Sequence, residues 1–291
     1  MSTSASRRRP GRLAAAASAA LALILVPAGV FAQQRPLQTQ DPEPIGAGEI
    51  LVQAGVDHGR DVTFPASGLT GNLTRGPLIG LLFGVGSIVE IDLTGGPYQR
   101  LAITDRQPAP LSDQLSVTGD STHSVVDMAI GAKVRVLPET ATRPAVAFLF
   151  STSLPNAKHP SGLGLNTIDF FTGFAVGKTM AGFRVAGNLG LGILPNPVNG
   201  QSQNDVLTYG LSLTRRVSRQ VELLGEVAGR ASTRRGEPPP GTGSRGTVYA
   251  GARYRRGSML LDGGLMFGMK PMDPTVGFSA GVAWMFHAWT M

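Results

Sequence analysis

Apolar and non-apolar residues alternate with a period of two over most of this chain, and that alternation decides which folds are open to it. From residue 125 to 136, Val126, Met128, Ile130, Ala132, Val134 and Val136 fall on one side, and Val125, Asp127, Ala129, Gly131, Lys133 and Arg135 on the other. A strand sorts its neighbours in this way; a helix could not gather the first set on one face. The pattern recurs at 183–193, 259–270 and 275–286. It predicts about twelve strands, at 49–58, 77–85, 88–104, 123–137, 143–155, 165–179, 181–194, 205–217, 219–232, 246–256, 258–270 and 275–287. Most reach the 9–11 residues that a tilted membrane strand needs, whereas sandwich strands average about five or six.

The links between the strands alternate in length. Long ones are predicted at 59–76, 105–122, 156–164, 195–204 and 233–245, with a shorter sixth at 271–274; short ones fall at 86–87, 138–142, 180, 218 and 257. Outer-membrane barrels have short periplasmic turns and longer extracellular loops. With an even strand count, both termini are then expected in the periplasm.

The first 32 residues stand apart. Arg7, Arg8, Arg9 and Arg12 precede an apolar run from about Leu13 to Phe31, and Val30 and Ala32 suit a signal peptidase. Cleavage is expected after Ala32, since Pro27 and Gly29 would weaken an uncleaved anchor helix. The formal charge of +7 then loses four arginines and becomes +3, so the basic balance is partly an export feature and no nucleic-acid partner is expected. The chain has no cysteine, which excludes disulfides, redox thiols and a lipidated cysteine. Past the signal there is no apolar run of the ~18 residues that a helical span needs. A membrane chain without such helices must satisfy its backbone in a closed sheet. The expectation is therefore all-β: a transmembrane, antiparallel, up-and-down β-barrel over 48–291, preceded by a flexible periplasmic leader at 33–47.

The segments 127–135 (DMAIGAKVR), 143–147 (RPAVA), 167–173 (TIDFFTG), 206–210 (VLTYG) and 221–226 (VELLGE) resemble the family of outer-membrane transporters named for the meta-pathway of phenol degradation. The resemblance covers about 76–232. It implies a barrel and the passage of small hydrophobic or aromatic compounds, and it carries over no catalytic residue. Barrel chains commonly end on an aromatic; here Phe286 would take that part ahead of Met291.

If the apolar face meets lipid, the other lines the lumen. Its charges are Glu90, Asp92, Asp127, Lys133, Arg135, Asp169, Arg184, Glu222, Glu226, Arg230, Arg253, Arg255, Asp262 and Lys270. Arg or Lys at mid-depth on the lipid face would cost about 2–4 kcal/mol, which favours the inside. These charges are either a selective pore lining or a cross-strand ion-pair network filling a narrow barrel. Trp284 is a candidate for an interfacial girdle. His58, His123, His159 and His287 have no metal-ligand spacing, and no cofactor and no catalytic constellation is expected. Expected partners are outer-membrane lipid, lipopolysaccharide, the barrel-assembly machinery and a small solute. Arg234, Arg235 and Arg245 form a basic cluster that could meet lipopolysaccharide phosphates, or a solvated loop. The function expected is passive transport, with a closed-lumen structural barrel as the alternative and an enzyme as the least supported reading.

Overall fold

A computed structural model describes residues 35–289; the expected signal and the first two leader residues lie outside them. Twelve antiparallel strands close into one barrel: β1 (Glu49–Phe64), β2 (Leu69–Val85), β3 (Val89–Arg106), β4 (Ser121–Leu137), β5 (Ala145–Leu154), β6 (Asp169–Met180), β7 (Phe183–Pro195), β8 (Gln203–Arg216), β9 (Val221–Ser232), β10 (Arg245–Arg256), β11 (Met259–Gly268) and β12 (Gly277–His287). Each strand pairs with its neighbours in sequence, and β1 pairs with β12 from Glu49↔His287 to Gly59↔Gly277. Closure gives every strand a neighbour on both sides.

The alternation dictates the two surfaces. Large apolar side chains such as Phe174, Leu189, Leu211, Leu265 and Trp284 stand exposed on the outside. The inside carries small residues and charges; on β7 it runs Arg184, Ala186, Asn188, Gly190 and Gly192. An outward apolar belt around a polar interior suits hydrocarbon and not water.

The expected long link at 59–76 is not one. β1 runs on to Phe64 and β2 starts at Leu69, leaving a tight connection at 65–68. The period-two signal fails there for two reasons. The ladder shifts register between Gly59 and Val62, and Asp61 takes a positive φ of 56°. The outer face also carries polar residues where the strands rise past the apolar belt. At that end Val62, Leu69, Leu73 and Leu101 pack with Leu163 from the 155–168 connection, so a loop is drawn across the mouth. The opposite end is lined by Ile45, Leu51, Leu82, Leu260, Ala283 and Met285.

Candidate functional site

The lumen is the candidate site, and a segment of this chain runs through it. Residues 35–47, expected to be a flexible leader, are bonded to the inner wall along their length. Ile45 N–H donates to Glu90 Oε2 at 2.8 Å. Glu43 pairs with Arg135. Asp41 takes two bonds from Arg184, at 2.6 and 2.7 Å, and its carbonyl accepts from Lys133 Nζ at 3.0 Å. Gln40 and Asn188 bond each other through N–H to Oδ1 (2.6 Å) and Nδ2 to carbonyl (2.9 Å). The N–H groups of Gln38 and Thr39 both donate to Glu226. Arg35 pairs with Asp57 at 3.1 Å, and its carbonyl accepts from Arg253 at 3.0 Å. Buried backbone donors need partners; here the wall's Glu90, Asn188 and Glu226 supply them.

Glycine makes this seat possible. A Cβ on Gly84 would stand 1.9 Å from the Gly46 carbonyl oxygen, and one on Gly210 would stand 2.6 Å from Thr39 Oγ1. Only a residue without a side chain lets the leader approach so closely.

Of the charged positions singled out in the sequence, all but Lys270 lie on the inner face of strands. Glu90 and Lys133 are register partners 3.0 Å apart, with 0% and 1% of their side chains exposed. Asp92 is buried against Gly131, where a Cβ would stand 2.3 Å from its Oδ1. Glu222, Arg253 and Asp262 form a row across β9, β10 and β11, with the Glu222–Arg253 pair at 3.3 Å; Arg255 follows two residues on. Asp127 accepts from the N–H groups of Asn156 (2.8 Å) and Ala157 (2.6 Å), tying down the 155–168 connection. Asp169 accepts from Thr167 Oγ1 at 3.1 Å. Arg230 donates to the carbonyls of Gly241 (2.8 Å) and Gly243 (3.0 Å), folding the 233–244 connection inward.

Lys270 is the correction. β11 ends at Gly268, whose N–H turns to the Pro274 carbonyl at 2.9 Å, so Lys270 stands exposed in the 269–276 connection. The alternation runs on past the point where the ladder stops. The basic cluster also divides. Arg245 is the first residue of β10 and bonds Asp273 at 3.0 Å, whereas Arg234 reaches the Gln203 carbonyl at 3.2 Å.

Sequence reasoning missed Asp41, Glu43, Asp57, Arg75 and Glu139. Glu139, in the 138–144 connection, pairs with Arg184 and Lys178. Burial alone would raise its carboxyl, but the Thr179 N–H, Arg184 and Lys178 together hold it below the ordinary carboxylate range. The available signal was complementarity of charge: a leader with two carboxylates, and wall arginines in need of partners.

Three cavities bear on passage. One of about 340 Å³ lies between Gln38, Thr39 and Gln40 of the leader and Arg230 and Arg245 near the mouth. A second, of about 270 Å³, lies inside between Arg35, Leu37 and the wall. A third, of about 330 Å³ and almost wholly apolar, opens on the outside around Leu81, Leu93 and Met128. The second and third share Ile79, Thr94, Gly95 and Val126 as their common wall. At this height the ladder fails at three successive seams. β1–β2 is irregular between Gly55 and Asp57, β2–β3 has no pairs between Arg75↔Gln99 and Ile79↔Gly95, and β3–β4 shifts on both sides of Gly96. Pro77 and Pro97 stand in this gap, and proline has no N–H for the ladder.

No protein-family model matches the chain, and no curated protein matches it. Among solved structures, it is similar to an outer-membrane channel from Pseudomonas putida F1. The TM-score is 0.59 at 14% identity, over 84% of this chain and 98% of that one. It is also similar to the porin NanC, with a TM-score of 0.51 at 8% identity, over 81% of this chain and 98% of that one. At these identities the likeness is one of fold.

Proposed function

We propose that this protein is an outer-membrane barrel that passes small hydrophobic or aromatic solutes, with residues 35–47 as an internal plug. The observation that carries this reading is the thin wall shared by an apolar outer cavity and an inner one, set where β1 to β4 lose their pairing. A hydrophobic solute dissolved among lipid chains would meet that outer cavity without crossing water. The similarity to an outer-membrane channel supports both the location and the channel reading. Membership of the phenol meta-pathway transporter family, export through a cleaved signal and periplasmic termini belong to the same proposal.

A second reading is a closed structural barrel. It is favoured by the leader and the ion pairs that fill the interior. Entry of the fluorescent hydrophobe N-phenylnaphthylamine into cells expressing the chain separates the two. Passage predicts faster entry than in cells carrying an empty vector, with ionic conductance of the refolded protein staying small. Equal entry in both strains leaves the closed barrel standing.

A further inference from the structure

We infer that the lumen holds a binding site for small organic carboxylates, with Arg230 and Arg245 receiving the anion and Phe171 and Leu149 the hydrocarbon. The inference rests on the passage reading, for it names a class of solute that the same lumen takes.

The two arginines are direct register partners on β9 and β10. Like charges facing across a ladder oppose folding, and a chain that keeps such a pair inside a barrel departs from the local rules of strand pairing, as functional sites tend to. One carboxylate pairs directly with one of them. Asp273 sits 3.0 Å from Arg245 Nε. Among the described residues no carboxylate lies within ion-pair distance of Arg230; Asp169 and Asp273 both act on it, only at longer range. Arg230 is therefore left without a direct ion-pair partner.

The two guanidiniums face a cavity. Both arginines line the space of about 340 Å³ above the leader, together with Phe171, Leu149, Thr208 and Asn188. The guanidiniums are held in place. Arg230 donates through Nε and Nη2 to Gly243 and Gly241, and Arg245 through Nε and Nη2 to Asp273 and Met272. Nη1 of each takes no part in these bonds. A planar guanidinium fixed in this way is suited to a carboxylate. The cavity lies near the lower end of the ~300–1,000 Å³ typical of ligand pockets. A single ring bearing a carboxylate matches that size, with the ring on Phe171 and the anion toward the mouth.

Benzoate is the probe, and benzyl alcohol its uncharged counterpart with the same ring. Calorimetry on the refolded full chain in detergent should show benzoate binding at least tenfold more tightly. Arg230→Gln and Arg245→Gln should each weaken benzoate at least tenfold and leave benzyl alcohol unchanged. Heat-modifiable gel mobility checks that each variant folds. If one does not, Asp273→Asn takes its place, with tighter benzoate binding expected once the competing carboxylate is gone. Equal affinity of the unaltered barrel for benzoate and benzyl alcohol overturns the site, and so does a folded arginine variant that binds benzoate as before. Benzoate flux into liposomes is measured separately. Binding without flux upholds the site and removes the passage reading; flux without preferential binding does the reverse.

Discussion

At the scale of single residues, the interior is governed by the cost of burying charge. Lys133 and Glu90 are wholly enclosed, so each depends on the other and on the leader's Asp41 carbonyl and Ile45 N–H. Lys133→Met leaves Glu90 buried without its cation, which costs about 3–5 kcal/mol. The double variant Lys133→Met/Glu90→Gln should cost clearly less, because no lone charge remains. Urea titration followed by gel mobility measures both; a single variant no worse than the double would refute this account. Glu139 gives a pH test. Its carboxyl is held below the ordinary range, so its contribution is complete above the unfolded value, about 4.3 for Glu. The contribution is lost as pH falls through the lower folded value. Acid should therefore loosen the Arg184 anchorage only below about pH 4.3, with no change through neutrality. Glu139→Gln should flatten that acid limb of the stability curve. These pairings were only half legible in the sequence. Parity places Glu90 and Lys133 on one face, but which strands adjoin, and at what register, is decided by closure. Lys270 kept the parity and lost the strand, because alternation says nothing about where hydrogen bonding stops.

At the scale of elements, the leader is the part least visible in the sequence. It has no periodicity, because it belongs to no ladder. Its N–H groups are satisfied one by one by Glu226, Asn188 and Glu90, and composition cannot report such pairings. The strands behaved otherwise. Ten to eighteen residues of sorted side chains define an element by themselves, and the count of twelve was readable. The extra length of β1 and β2 was not, since a strand beyond the apolar belt loses the contrast that reveals it. The close approach of leader and wall gives a direct test. A Cβ on Gly210 would stand 3.3 Å from Thr39 Cβ, near the Cβ separation of about 3.5–4.5 Å found in disulfides. The chain has no cysteine to compete. Thr39→Cys/Gly210→Cys should therefore form a bridge on export that shows in non-reducing gels. It should lower solute entry severalfold, with recovery on adding dithiothreitol. Entry indifferent to the bridge would mean that the leader does not need to move.

At the scale of the whole molecule, the ladder is interrupted at three neighbouring seams, β1–β2, β2–β3 and β3–β4, at one height. Glycine and proline in β2 and β3 were visible in the sequence, yet they lie some twenty positions apart along the chain, and only the barrel brings them level. Pro97→Val supplies the missing donor, and entry of N-phenylnaphthylamine should fall severalfold while ionic conductance stays the same. An unchanged rate would remove the outer cavity from the route. The leader also has a consequence for electrical behaviour. Within 35–47 the charges are Arg35, Asp41 and Glu43, a net of minus one. Were the segment to leave, Arg135 would lose its counter-ion and Arg184 one of its two, whereas Asp57 would keep Arg75. The vacated tunnel would thus prefer chloride over potassium more strongly than the filled one, and a bilayer recording under a salt gradient would register the departure as a displaced reversal voltage.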